Sequence, residues 1–383
     1  MAWPVYKHFV PNGTVEARSR VLKQALQPTA PAAHREVCNV YSTRTLTQTR
    51  PDRGVMFAGA VVACGVTAAV LASWLPLQVS ILTVFLFAGP HNWFEFRYFL
   101  MRLPARFGRS RNFFLTAFTG LALLTISYIS LPFIYEHATW SSETWLTVLA
   151  TWNTLLLASL VALIHLRGKQ KRSRTSKLQR TFGGSQRRTS DWTWTVPLAL
   201  ALAALNWIGP EFFSLALVYV HPLIALWFLD RQLQRTRPEW VSTYRRCLSL
   251  LPVLLALMIW RLSQTTALAD DNGLFWRITQ HSGAQLLPQV SSHMLVSVHL
   301  FLEMLHYGVW IVALPLIAPQ FWNFQTARKG FPRLTPALLM LGALAVVVLW
   351  IGFSRDYTQT RDLYFTIAIA HVLAEAPFLL KML

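Results

Sequence analysis

Apolar stretches close to the ~20 residues that cross a bilayer as a helix recur from Arg53 to the end of the chain, separated by short polar breaks. About ten can be drawn, at 55–75, 77–100, 113–135, 144–166, 192–208, 212–229, 247–260, 289–318, 335–353 and 362–380. The 383 residues are 54% hydrophobic and only 13% charged, which excludes an ordinary soluble protein. The pattern predicts an all-α, polytopic integral membrane protein of about ten transmembrane helices.

The charges that remain are unevenly placed. Thirty-five Lys and Arg against 16 Asp and Glu give a net charge of +19. The cations gather in alternate breaks: 97–111, 167–191, 231–246 and 319–334. The breaks between them carry few, with none from Glu136 to Glu143 and only Arg277 from Ser263 to Pro288. Retained cytoplasmic loops are Lys/Arg-rich, so this alternation predicts serial crossing of an inner or plasma membrane with both termini cytoplasmic.

Residues 1–53 carry Lys7, Arg18, Arg20, Lys23, Arg35, Arg44 and Arg50 without an apolar run, and read as a basic cytoplasmic arm before a transmembrane domain at 54–383. Within that domain, 167–191 holds nine Lys or Arg among Ser, Thr and Gly and reads as a flexible basic cytoplasmic loop against anionic membrane lipids. Its one aromatic, Phe182, gives no stacking platform, so no nucleic-acid partner is expected. Cys38, Cys64 and Cys247 are too scattered for a disulfide framework or a thiolate metal cage.

A titratable group inside a spanning helix costs at least ~2.5 kcal/mol, so each one is a candidate for function. His91 and Glu95 lie four residues apart in the second stretch, and His371 and Glu375 repeat that spacing in the last. His299, Glu303 and His306 fall within about 60° of one another on a helical wheel of the eighth. His221 sits in the middle of the sixth. Four helices thus carry imidazoles at similar depth, as a shared metal site requires, with Glu95, Glu303 and Glu375 placed to hold the remaining ring N–H or supply negative charge. The expected ligands are His91, His221, His306 and His371, with His299 as a fifth candidate; imidazole with optional carboxylate suits iron, and also zinc, copper or manganese. A proton or substrate pathway, or separate structural polar pairs, are the other readings of the same residues. His293 faces about 120° away from His299 on the wheel, and His8, His34, His137, His165 and His281 read as solvated loop or helix-end residues.

Gly89-Pro90, Pro222 and Pro315 stand near three of these histidines and predict kinked helices with space beside them. Trp93, Phe94, Phe96, Tyr219, Trp227, Tyr307 and Trp310 are near enough to line a slot for a flat apolar ligand. The sequence holds no H-E-x-x-H, G-x-S-x-G, Walker-type or Rossmann glycine pattern, which removes the usual support for hydrolase, ATPase and NAD-enzyme readings.

Four windows in order along the chain resemble the bacterial membrane carotenoid-cleaving dioxygenases of the Brp/Blh type. Gly89-Pro90-His91 followed by Glu95 resembles that family's Pro-His-Gly segment with its acid four residues on. Leu305-His306-Tyr307 resembles its Trp-His-Ser segment, and Ala370-His371 followed by Glu375 its late Pro-His segment; His221 would be the remaining ligand. Asn92 stands where the family has Gly, and Phe96 replaces a second His after the acid. The resemblance implies four neutral imidazoles holding non-haem Fe(II), O2 as co-substrate, and a lipid-soluble polyene or isoprenoid such as a carotenoid, with Glu95, Glu303 and Glu375 beside the metal in catalysis. A haem- or pigment-binding membrane protein, a proton-coupled transporter and a structural subunit are the competing expectations.

Overall fold

The computed structural model describes residues 53–137, 139–182, 192–268, 273–318 and 334–382, with side chains omitted at 104–109, 136 and 171–182. The arm expected at 1–53 lies almost wholly outside the described residues. Those described form helices and connecting turns, with no strand among them. In chain order the helices are α1 (Arg53–Trp74), α2 (Pro76–His137), α3 (Ser142–Phe182), α4 (Thr195–Ile208), α5 (Pro210–Thr236), α6 (Val241–Leu248), α7 (Leu250–Leu262), α8 (Leu274–His281), α9 (Ser292–Tyr307), α10 (Leu334–Arg355) and α11 (Tyr357–Met382). A π-helical turn at Gly308–Ala313 and a last α turn at Leu314–Ile317 prolong α9.

Among the described residues, seven segments are long and apolar enough to cross a membrane: Arg53–Trp74, Ser110–Tyr135, Ser142–Gln170, Pro210–Thr236, Ser292–Ile317, Leu334–Arg355 and Tyr357–Met382. The all-α expectation holds, and the count of about ten is corrected to seven. Three of the ten stretches fall short for two different reasons. α4 has 14 residues and α7 has 13, which at 1.5 Å per residue reach only about 20 Å of a ~30 Å apolar layer. The stretch at 77–100 is long enough, but His91, Asn92, Glu95 and Arg97 dilute its apolar character.

α2 is two helices joined at Ser110, whose φ of −137° and ψ of 29° break the helical path. Its first half runs alongside α11, with His91 against His371 and Phe99 stacked on Phe378 at 4.1 Å. The second half returns, with Phe114 beside Phe378 and Leu121 packed with Leu373. α3 continues through Phe182, so the first part of the segment expected as a mobile loop is helical. Its Lys, Arg and Gln are good helix formers, and the next helix breakers in the sequence are Gly183 and Gly184. Residues 183–191 lie outside the described residues.

The four histidine-bearing segments, the first half of α2, α5, α9 and α11, run in the same direction. His91, His221, His306 and His371 meet at one level. Further along each chain, Phe99, Phe228, Trp310 and Phe378 meet at the next, all nearly fully buried. Phe99–Phe228, Phe99–Trp310 and Phe228–Trp310 ring centroids lie 5.8, 5.7 and 5.5 Å apart. Burial of four such rings supplies much of the apolar area holding this end of the bundle together, and it seals the level of the histidines on that side.

Candidate metal centre

Each histidine is delivered by a local feature of its helix. On α2, His91 Nδ1 donates to the Phe87 carbonyl at 2.9 Å, which fixes the ring and leaves Nε2 with its lone pair. On α5, His221 directly precedes Pro222, whose ring removes a backbone donor inside the helix. On α9, His306 stands just before the π-helical turn, and Pro315 follows that turn. The wider register accommodates a residue lacking its own N–H, and π turns of this kind recur at functional sites. On α11, His371 and Glu375 share one face.

The four rings form a closed cycle. Centroid separations are 5.3 Å for His91–His306, 4.7 Å for His306–His221, 5.2 Å for His221–His371 and 5.4 Å for His371–His91. Ligand atoms of His91, His306 and His371 all lie within 4.8 Å of one another, as do those of His221, His306 and Glu375. Glu375 is completely buried and its Oε2 is 3.4 Å from His221 Nδ1. Glu95, 1% exposed, is on the same side as Glu375, close enough for the two carboxylates to interact.

Neither nitrogen of His221 or His306, nor either oxygen of Glu95 or Glu375, has a hydrogen-bond partner among the described residues. Buried polar groups ordinarily find partners, and leaving one unsatisfied costs roughly 1–3 kcal/mol. Two overlapping groups of residues, His91, His306 and His371 and then His221, His306 and Glu375, each bring three ligand atoms together as a cation-binding set would. Imidazole nitrogen with nearby carboxylate is a donor set for a divalent transition metal.

The cycle lies on the wall of a cavity of about 500 Å³ between α2, α3, α5, α8, α9 and α11. Tyr128, Trp145, Trp152, Tyr307, Tyr364 and Phe365 give it an aromatic lining. Of the aromatics expected to form such a slot, Tyr307 does, with its ring 4.4 Å from that of His91. The others serve elsewhere: Trp93 donates to the Leu339 carbonyl, Tyr219 to the carbonyls of Ser282 and Leu295, Trp310 joins the aromatic seal, and Phe96 is 40% exposed.

His299 stands outside the cycle. It faces Tyr219 and His281, and its Nδ1 is 3.8 Å from Glu303 Oε2. Glu303 lines the cavity beside it. His281, expected to be solvated, instead packs on His299 and Phe365, with centroids at 5.2 and 4.2 Å, and also lines the cavity. Its eight-residue helix is strongly two-sided, LFWRITQH, and an imidazole at its end was the available signal. His137 is exposed, and His165 and His293 are half-buried and bonded to backbone carbonyls.

Compared with known proteins, the chain matches no family model, no curated protein and no solved structure.

Proposed function

We propose that this protein is a membrane-embedded non-haem iron enzyme in which His91, His221, His306 and His371 hold Fe(II), and that it oxygenates a lipid-soluble polyene or isoprenoid with O2. The observation that carries the reading is the closed cycle of four imidazoles on the wall of an aromatic-lined cavity. Ring centroids only 4.7–5.4 Å apart around the cycle suit a single ion bonded to nitrogens at about 2 Å, and leave no slot among them for a porphyrin plane. Bound iron would supply O2 activation.

The protein's own groups bind, orient and exclude water. Phe87 holds the His91 tautomer that leaves Nε2 free to ligate. Glu375 aligns His221, and with Glu95 offsets the charge of a divalent ion in an apolar surrounding. The seal made by Phe99, Phe228, Trp310 and Phe378 keeps water from one side. On the other side the cavity receives the substrate, and Tyr307 lines it beside His91. Addition of both atoms of O2 across one carbon–carbon double bond, with cleavage of that bond, gives two carbonyl fragments and needs no external reductant.

In this reading both chain ends lie on the cytoplasmic side, the side the basic breaks favour, which needs an even number of crossings and so at least one crossing by a helix outside the seven apolar segments. The test is aerobic incubation of the iron-loaded protein with β-carotene under oxygen-18 gas. Carbonyl products carrying the label, absent with His306→Ala, are expected; an unaltered polyene in every iron-loaded preparation would contradict the proposed reaction.

A further inference from the structure

The cavity has a second polar station that the metal cycle does not use. His299 lies seven residues before His306 on α9, about 10 Å along the helix axis. Across from it, His281 ends α8, and the two rings meet edge to face at 5.2 Å. Both line the cavity; His299 Nδ1 approaches Glu303 Oε2 at 3.8 Å, and His281 makes ring contacts with His299 and Phe365.

The surrounding structure holds this pair firmly. Tyr219 donates its hydroxyl to the Ser282 and Leu295 carbonyls, tying the turn after α8 to α5 and α9. Gly283, at φ +90°, lets that turn lie against Leu215, whose Cδ2 would be 2.6 Å from a Cβ there. Phe365 packs against His281 with the rings tilted by 36° and their centroids 4.2 Å apart. Burial, then the neighbouring His299 ring and Arg361, push the His281 pKa well down, so its ring is neutral and offers one donor and one acceptor nitrogen.

Resting on the reading of this cavity as a site for a lipid-soluble substrate, we infer that His281 and His299 form an end-group subsite. It hydrogen-bonds an oxygen, hydroxyl or carbonyl, at the terminus of an otherwise apolar chain. The preferred substrate is then an oxygenated isoprenoid, and the ~10 Å offset along α9 sets which bond faces the histidine cycle. A purely hydrocarbon ligand would offer the His281 ring no polar partner, and a site built to bond a hydroxyl discriminates against the analogue that lacks it.

The experiment uses all-trans-retinol and the hydrocarbon bearing a methyl group in place of its terminal CH2OH, titrated anaerobically against the full chain in detergent. Quenching of tryptophan emission reports occupancy, since Trp145 and Trp152 line the cavity. Wild type is expected to favour the alcohol by about fivefold to tenfold, the worth of one well-made hydrogen bond. His281→Leu, at a half-buried helix end, should lose that ratio with hydrocarbon affinity unchanged, and His281→Gln should keep most of it. His299→Phe, combined with His281→Leu, should abolish it. A ratio unaltered in His281→Leu and in the double variant, or equal binding of both ligands to wild type, overturns the subsite while leaving the lipid-substrate reading intact. Absence of quenching by either ligand overturns both.

Discussion

Glu375 is completely buried, has no hydrogen-bond partner among the described residues, and faces His221 from a different helix. A carboxylate in that position gains most when a ligating imidazole and a cation share its field, and partners of this kind commonly contribute ten- to hundredfold in metal affinity. Glu375→Gln, nearly equal in shape, is therefore expected to weaken iron binding by about tenfold or more, read by competition with a chelator of known affinity. Unchanged affinity would separate Glu375 from the metal. At this scale much was legible in the sequence. His91 with Glu95 and His371 with Glu375 stand out because a spanning helix rarely carries one titratable residue, let alone two on one face. What one helix's periodicity cannot show is which groups from other helices it meets. His299 shares a helical face with His306, yet seven residues of rise carry it to the other end of the cavity, and His281 was hidden in a stretch between predicted spans.

Between elements, buried polar contacts decide how the shorter helices seat. Asn153 of α3 donates to Asn206 Oδ1 of α4 at 2.8 Å and to the Pro210 carbonyl at 3.2 Å, while Asn206 donates to the Ala150 carbonyl at 2.8 Å. Both asparagines have no exposed surface. Asn206→Ala removes the hydrogen bonds that tie it to α3, while Asn153 keeps the Pro210 carbonyl and Ser214 as acceptors and the Ala150 carbonyl keeps Thr154 as donor. It should cost about 0.5–1.5 kcal/mol per bond lost, seen as a lower Tm in detergent; an unshifted Tm would mean that apolar packing alone seats α4. Gly283→Ala should likewise lower Tm, by more than about 1 kcal/mol of stability, because φ is +90° and Leu215 fills the space a methyl would need. If it leaves Tm unaltered, the turn is free to reshape. All ten apolar stretches correspond to helices, but sequence length alone overcounts spans. α4 and α7 are apolar enough and too short, and the first half of α2 spends its polarity on the site.

Across the molecule, the central feature is that four segments distant in sequence run the same way and present histidine at one level and an aromatic ring at the next. The alternation of basic breaks contains that parallel arrangement in outline, since the stretches bearing His91, His221, His306 and His371 are separated by even numbers of crossings in the ten-stretch reading. Their adjacency is a property of packing that the linear order leaves open. The seal of Phe99, Phe228, Trp310 and Phe378 and the aromatic-lined cavity follow from that adjacency and were not legible residue by residue. The most direct test of the account is metal analysis with an absorption spectrum on freshly purified protein, comparing wild type with a His91→Ala, His371→Ala double variant. The account predicts near-stoichiometric iron without a Soret band in the wild type and its loss in the variant. A Soret band, or iron retained by the variant at the wild-type level, would contradict it.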